Sequence, residues 1–213
     1  MDNARVMAEL AKAGVRGSID EYVNGPMPTE AIPVLVAVLP RVTDPLVRNG
    51  IARALTDKRA RGGAVATALI ADFRRFLREG ANEDAMFAIA NALAYSAATD
   101  EDYDDVLELL KREESGAARG ALIQCLGKMK VRRDVTETVA VSLLGAGVEC
   151  VVTSALAVLR KVGTIDSVEA ISRSETSSNA AIRKAAVRAR TAIEERRSAA
   201  GRRHDAPAPE QKR

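Results

Sequence analysis

The chain has 213 residues, of which 47% are hydrophobic and 29% are charged, and its formal net charge is +3 at pH 7. Both fractions are those of a globular protein, so the composition argues against wholesale disorder. No stretch approaches the ~20 consecutive apolar residues that cross a bilayer, and the N-terminus lacks the apolar core of a secretory signal. We therefore expect a cytoplasmic protein without a membrane partner.

Helix-forming residues dominate the chain from its start, and no long run alternates apolar and polar residues as a strand would. Residues 1–28 predict an N-terminal helical cap. Within it, one helix is expected over 3–13 and a second, shorter helix over 18–23. After this cap, helices follow one another in pairs.

Five segments of the remaining chain align without gaps, and their last residues are 38, 33, 33 and 31 residues apart. Positions 1, 4, 5 and 8 of the alignment fall on one helical face and hold small or apolar residues. A leucine that lies 16 residues before the end of each of the first four segments marks a preceding partner helix. The repeat unit is therefore a pair of antiparallel helices, which has to stack on its neighbours to bury its apolar face. The segments are VRNGIARAL (47–55), AMFAIANAL (85–93), ARGALIQCL (118–126), VVTSALAVL (151–159) and IRKAAVRAR (182–190).

These repeats predict an all-α fold, an α-solenoid (superhelix) of about five antiparallel helix pairs over residues 29–197. In the last segment Arg190 replaces the closing leucine, as expected of a terminal repeat with a hydrated outer face. Residues 198–213 contain Pro207 and Pro209 and lose the periodicity, which predicts a disordered tail.

The second-helix pattern, roughly V-R-x-x-A-x-x-A-L and most complete in VRNGIARAL, resembles the HEAT repeat. It is most similar to the short bacterial variety known as phycobilisome-lyase-like HEAT repeats. The resemblance covers about residues 29–197 and implies a bacterial solenoid protein. It says little about function, because such repeats serve many roles. Its analogy with lyase subunits leaves an enzyme accessory as a further hypothesis, although no chromophore pocket is marked in the sequence.

The residue types that catalysis and metal binding need are scarce. His204 is the only histidine and lies in the predicted tail, which excludes a catalytic triad or a histidine-containing metal site inside the fold. Cys125 and Cys150 fit no metal-binding spacing and are expected to be buried or half-buried thiols. No phosphate-binding glycine motif occurs. We predict a protein that is not an enzyme and that needs no cofactor and no metal.

Binding of another protein through the concave face of the solenoid is the favoured hypothesis. The second helices of such arrays usually line that face, and positions 3 and 7 of the aligned segments point away from the core. Most residues there are small and polar, but Phe87 is an aromatic of the kind that anchors interfaces. Packing of Phe87 over a neighbouring helix is the alternative. The predicted protein-binding residues are Arg53, Phe87, Asn91, Tyr95 and Gln124.

Nucleic-acid binding through the basic C-terminal region is the alternative function. Residues 151–213 carry 13 Lys and Arg against 7 Asp and Glu, a net charge of +6, which suits contact with phosphates. The chain has no Trp and only 3 Tyr and 3 Phe, so platforms on which bases stack are scarce. The predicted nucleic-acid contacts are Arg183, Lys184, Arg188 and Arg190.

Overall fold

Helices are the only regular elements in residues 2–80 and 82–204, which the computed structural model describes, with side chains as far as residue 199. The prediction of an all-α, α-solenoid class of fold is confirmed. Short 3₁₀ turns lie at Leu39–Arg41, Glu113–Ala118, Leu143–Gly145 and Ile165–Ser167. The α-helices are α1 (Asn3–Lys12), α2 (Ile19–Asn24), α3 (Ala31–Val38), α4 (Pro45–Ala54), α5 (Gly63–Glu79), α6 (Glu83–Ser96), α7 (Asp100–Lys111), α8 (Arg119–Lys128), α9 (Arg133–Ser142), α10 (Glu149–Val162), α11 (Val168–Ser174) and α12 (Ala180–His204).

The chain divides into two compact units, Met1–Val131 and Arg132–Arg213. In the first unit the odd-numbered helices pack in the order α1, α3, α5, α7, and the even-numbered helices pack in the order α2, α4, α6, α8. In the second unit α9 packs on α10, α11 packs on α12, and α10 packs on α12. The five aligned segments fall on even-numbered helices, as the repeat predicted. The division lies inside the array predicted over 29–197.

The N-terminal region forms two helices close to the predicted positions, and each of them packs on a helix of the following pair. Helix α1 lies on α3 and α2 lies on α4, in the same way that α3 and α4 lie on α5 and α6. Ser18 caps α2, because its hydroxyl oxygen accepts a hydrogen bond from the Glu21 N–H at 3.2 Å. The two N-terminal helices therefore lie on α3 and α4, the first predicted repeat.

The aligned face of the repeats is the buried face. Residues at position 5 of the five segments have no exposed surface: Ile51, Ile89, Leu122, Ala155 and Ala186. The small residue at position 4 lets neighbouring helices approach closely. At Gly50 this is required, because a Cβ atom there would lie only 2.7 Å from Cγ2 of Ile19 on α2.

A completely buried arginine joins α4 to α5. Arg48 Nε donates to Asp72 Oδ1 at 2.9 Å, and Arg48 Nη1 donates to Glu79 Oε2 at 2.8 Å. The guanidinium carbon lies 3.5 Å from the centroid of the Phe76 ring. Burial raises the pKa of Asp72, although the hydrogen bond and charge of Arg48 act in the opposite direction. Among the described residues, Asp72 Oδ2 is the buried side-chain oxygen without a hydrogen-bond partner.

Two sequence-based expectations differ from the structure. Helix α12 continues to His204, so the tail predicted from residue 198 begins inside a helix, while residues 205–213 lie outside the described residues. Alanine and arginine, which are strong helix formers, continue beyond residue 198 and extend the helix. Cys125 is buried as expected, but Cys150 is exposed near the start of α10. Burial raises the pKa of the Cys125 thiol to about 12.

Candidate protein-binding groove

Helices α2, α4 and α6 of the first unit line two cavities that share several residues. One encloses about 350 Å³ and the other about 360 Å³. Because Arg53, Ala88 and Asn91 line both, we treat the two cavities as one feature and call it the inner groove. The remaining lining residues are Val23, Thr56 and Tyr95 in the first cavity and Asn49, Asp84 and Phe87 in the second.

The spacing of residues along α4 and α6 explains how the groove forms. Asn49 and Arg53 are four residues apart on α4, and Phe87, Asn91 and Tyr95 follow at intervals of four on α6. Residues four apart lie on the same face of a helix, so each set forms one stripe. The two helices pack side by side and thereby bring the stripes together.

Several polar groups of the inner groove are unused. Within the described part of the chain, the Arg53 guanidinium, the Asn91 side-chain amide and the Tyr95 hydroxyl make no hydrogen bond and no ion pair. The Tyr95 ring, unlike its hydroxyl, has a partner: the Lys128 ammonium on α8 lies 4.4 Å from the ring centroid. This cation–π contact holds the ring at the boundary between α6 and α8.

Phe87 is the large apolar residue of the groove that remains accessible. Its side chain is on α6, and the residue is 42% exposed. Packing against neighbours therefore covers only part of the ring. Aromatic rings in this situation offer apolar area to a partner at little cost in side-chain entropy.

The structure brings four of the five predicted groove residues together. Arg53, Phe87, Asn91 and Tyr95 line the inner groove, whereas Gln124 is exposed on α8 and lines neither cavity. Their role in binding stays a prediction. Five further lining residues were not predicted from the sequence. Asn49 could have been, because it occupies position 3 of the repeat alignment. The other four are Val23, Thr56, Asp84 and Ala88.

The predicted nucleic-acid contacts all lie on α12, but two of them are used within the second unit. Arg183 Nη1 donates to two backbone carbonyls of the α11–α12 loop, each at 2.8 Å. Arg190 Nε lies 2.6 Å from Glu175 Oε1, and this contact raises the pKa of Arg190 further above its ordinary value. Lys184 and Arg188 are exposed.

The described residues also bear on metal binding and on membrane insertion. No group of three or more His, Cys, Asp or Glu side chains there is arranged to hold a metal ion. No helix in the same part of the chain combines the length and the apolar character that crossing a membrane requires.

Comparison with known proteins adds a likeness of fold. No protein-family model matches the sequence, and no curated protein matches it. The structure is similar to that of a designed armadillo repeat protein, YIII(Dq)4CqI, with 18% sequence identity and a TM-score of 0.49. The match covers 90% of this chain and 92% of that chain. The assignment of this chain to the helical-repeat, α-solenoid class rests on its own helix pairs.

Proposed function

We propose that this chain is a non-enzymatic scaffold or adaptor that binds another protein through the inner groove. The observation that carries the proposal is that one groove combines a half-exposed aromatic ring with unpartnered polar side chains. Phe87 supplies the ring, and Arg53, Asn91 and Tyr95 supply the polar groups. Aromatic residues and arginine are the types most enriched among interface anchors, so the composition of the groove suits a protein partner.

The rigidity of the groove walls supports the same proposal. The walls are helices whose opposite faces are completely buried, as at Ile51 on α4 and Ile89 on α6. A surface of packed helices does not have to become ordered when a partner binds, so less of the interaction free energy is lost.

The proposal has finer parts that depend on the sequence pattern. We propose that the repeats are of the HEAT type, of the phycobilisome-lyase-like bacterial variety, and that the protein acts in the cytoplasm. The pattern V-R-x-x-A-x-x-A-L supports the repeat type, because it lies on the second helix of a pair and its small residue at Gly50 faces α2.

Nucleic-acid binding through α12 receives less support. Arg190 is paired with Glu175, and the guanidinium of Arg183 is held by two backbone carbonyls, so only Lys184 and Arg188 of the predicted set have side chains without a partner in the described residues. Few free lysine and arginine side chains neutralise few phosphates, and affinity for nucleic acid depends on how many phosphates are neutralised.

Affinity capture with groove variants tests the proposal. The full chain, immobilised and exposed to a native lysate of the source cells, is compared with the double variant Arg53→Glu, Phe87→Ala and with the control Val187→Ala. Val187 suits this purpose because it is 44% exposed, close to the 42% of Phe87, and lies on α12 outside the groove. We expect at least one protein that the wild type and the control capture and the double variant does not.

Reconstitution makes the result quantitative. Each such protein is purified, and its binding is measured by calorimetry. Truncation of an interface anchor costs about 2 kcal/mol or more, so Phe87→Ala alone is expected to weaken binding roughly 30-fold. Capture of an unchanged set of proteins by the double variant would show that the inner groove is not the binding surface.

A further inference from the structure

The first cavity of the inner groove has the composition of a carboxylate-binding site. Arg53 is the one charged residue among its six lining residues, and it is exposed on α4. Asn91 and Tyr95 face the same cavity from α6. An arginine that is neither paired nor buried leaves its full charge available to a ligand.

Hydrogen-bond donors dominate among the free polar groups of this cavity. A guanidinium has five N–H donors and no acceptor, a side-chain amide has two donors, and a phenol has one. In the described residues all three groups are unpartnered, whereas the Thr56 hydroxyl donates to the Ala52 carbonyl at 3.2 Å. The guanidinium fork matches the two oxygens of a carboxylate, and its charge disfavours a cation.

The second cavity supplies a different chemistry beside the first. Phe87 contributes an accessible aromatic ring, and Asp84 contributes a carboxylate on the first turn of α6. Arg53 lines this cavity as well, but Asp84 repels a second acid here, so an acidic ligand group is favoured in the first cavity, where Arg53 is the charged lining residue. An apolar group placed over Phe87 meets no such penalty.

We propose that the inner groove binds an extended segment of a partner protein that places an Asp or Glu side chain against Arg53 and an apolar side chain against Phe87. This rests on the proposed function and adds the chemistry of the partner to it. The charge complementarity between Arg53 and an acid selects this occupant over a basic segment. Asn91, which lines both cavities, is positioned to hydrogen-bond the backbone between the two side chains.

A random peptide library displayed on phage tests the proposal directly. Helices pack ~9 Å apart and an extended residue spans ~3.3 Å, so peptides of about twelve residues exceed the distance from α2 to α6. The full chain is immobilised and the enriched peptides are sequenced. We expect enrichment of one Asp or Glu with an apolar residue at a fixed distance from it.

Variants at Arg53 show whether this side chain binds the acidic residue of the peptide. Arg53→Gln is expected to weaken binding of the enriched peptides by about tenfold or more, since a charge-assisted hydrogen bond is lost. Arg53→Glu is expected to enrich Lys or Arg in place of the acid. The matched control is Arg78→Gln, because Arg78 is exposed on α5 and lines neither cavity.

The outcomes separate this proposal from the proposed function. The proposal that Arg53 binds an acidic side chain is overturned if the enriched peptides depend on Phe87 but carry no acid. It is also overturned if they bind Arg53→Gln as well as they bind the wild type. In both cases the groove remains a protein-binding surface. Failure to enrich any peptide, or peptides indifferent to both Phe87→Ala and Arg53→Gln, counts against both. Synthetic peptides with an amidated C-terminus are expected to bind equally well. Loss of binding would mean that Arg53 binds the C-terminal carboxylate of the peptide and not an Asp or Glu side chain.

Discussion

Arg48 shows how a single side chain sets the relation between two helices. Its guanidinium is completely buried and is shared between Asp72, Glu79 and the Phe76 ring, so α4 and α5 meet through charge as well as through apolar contact. Glu79 is hydrogen-bonded by both Arg75 and Arg48, and these bonds lower its pKa. Buried ion pairs of this kind fix geometry more reliably than they add stability.

Removing the cation alone is expected to be costly. The variant Arg48→Met keeps an apolar stem beside Phe76 but leaves the Asp72 carboxylate buried without its partner, so we expect a loss of about 3–5 kcal/mol in the free energy of unfolding. The double variant Arg48→Met, Asp72→Leu is expected to recover most of this loss. Urea unfolding followed by circular dichroism measures both. A double variant no more stable than Arg48→Met would show that packing, and not charge, explains the effect.

Because the Cys125 thiol is buried, we expect the free energy of unfolding to decrease at alkaline pH. Its pKa is raised from 9.0 to about 12, chiefly by burial, while the charge of Lys128 opposes the shift. Above pH ~9 the unfolded chain loses this proton and the folded chain retains it, so stability decreases as the pH rises towards 12, by ~1.4 kcal/mol per pH unit. The variant Cys125→Ala lacks this contribution. The difference in free energy of unfolding between the two proteins, measured at about pH 8 and pH 10.5, isolates it, and an equal pH dependence in both would contradict the assignment.

At the scale of elements, α2 and α4 approach each other closely. Ile19 is 4% exposed at the start of α2, and its Cγ2 faces Gly50 of α4. Helix α2 is only six residues long and has Val23 in the inner groove, so its position contributes to the shape of that surface.

The substitution Gly50→Ala tests this contact. Alanine is favoured over glycine in a helix by ~1 kcal/mol, but forcing an extra methyl group into a packed core costs ~1–3 kcal/mol. We expect a net loss of about 1 kcal/mol in the free energy of unfolding, and a gain of about 1 kcal/mol when the same change is made in an Ile19→Ala background.

Gly63→Ala is the control for helix propensity, because nothing lies within 4 Å of a Cβ atom at Gly63 in the first turn of α5. This control is expected not to destabilise the protein. A similar loss for Gly50→Ala with and without Ile19 would show that the side chain of Ile19 is not the obstacle.

Much of the element order follows from the sequence, because the buried face repeats with nearly constant spacing. The same periodicity places Phe87, Asn91 and Arg53 on one surface. Two features carry no such signal. Val23 belongs to a helix too short and too irregular to join the alignment, and the burial of Arg48 depends on Asp72 and Glu79, which lie on another helix.

At the scale of the whole chain, the spacing of the sequence repeats does not mark the boundary between the two compact units. The third and fourth aligned segments are 33 residues apart, the same distance as the second and third, yet the chain divides into two compact units between Val131 and Arg132. Arg132 is the one non-glycine residue with positive φ in the described residues, at 45°. A repeat alignment compares residue types at matched positions, so it contains no information about which helices belong to the same compact unit.

The stacking of α4, α6 and α8 has a consequence for how such a chain can grow. A second copy of residues 63–99 inserted after Thr99 would have α5 and α6 on one side and α7 and α8 on the other. The copied Asp72 would then face Met86 of α6 in place of Arg48, so it would have to be replaced by an apolar residue. The inner groove would lengthen by ~9 Å, which accommodates nearly three more residues of an extended ligand. Duplication of one helix pair would thus lengthen the groove in fixed increments, once the new boundary between the pairs is repacked.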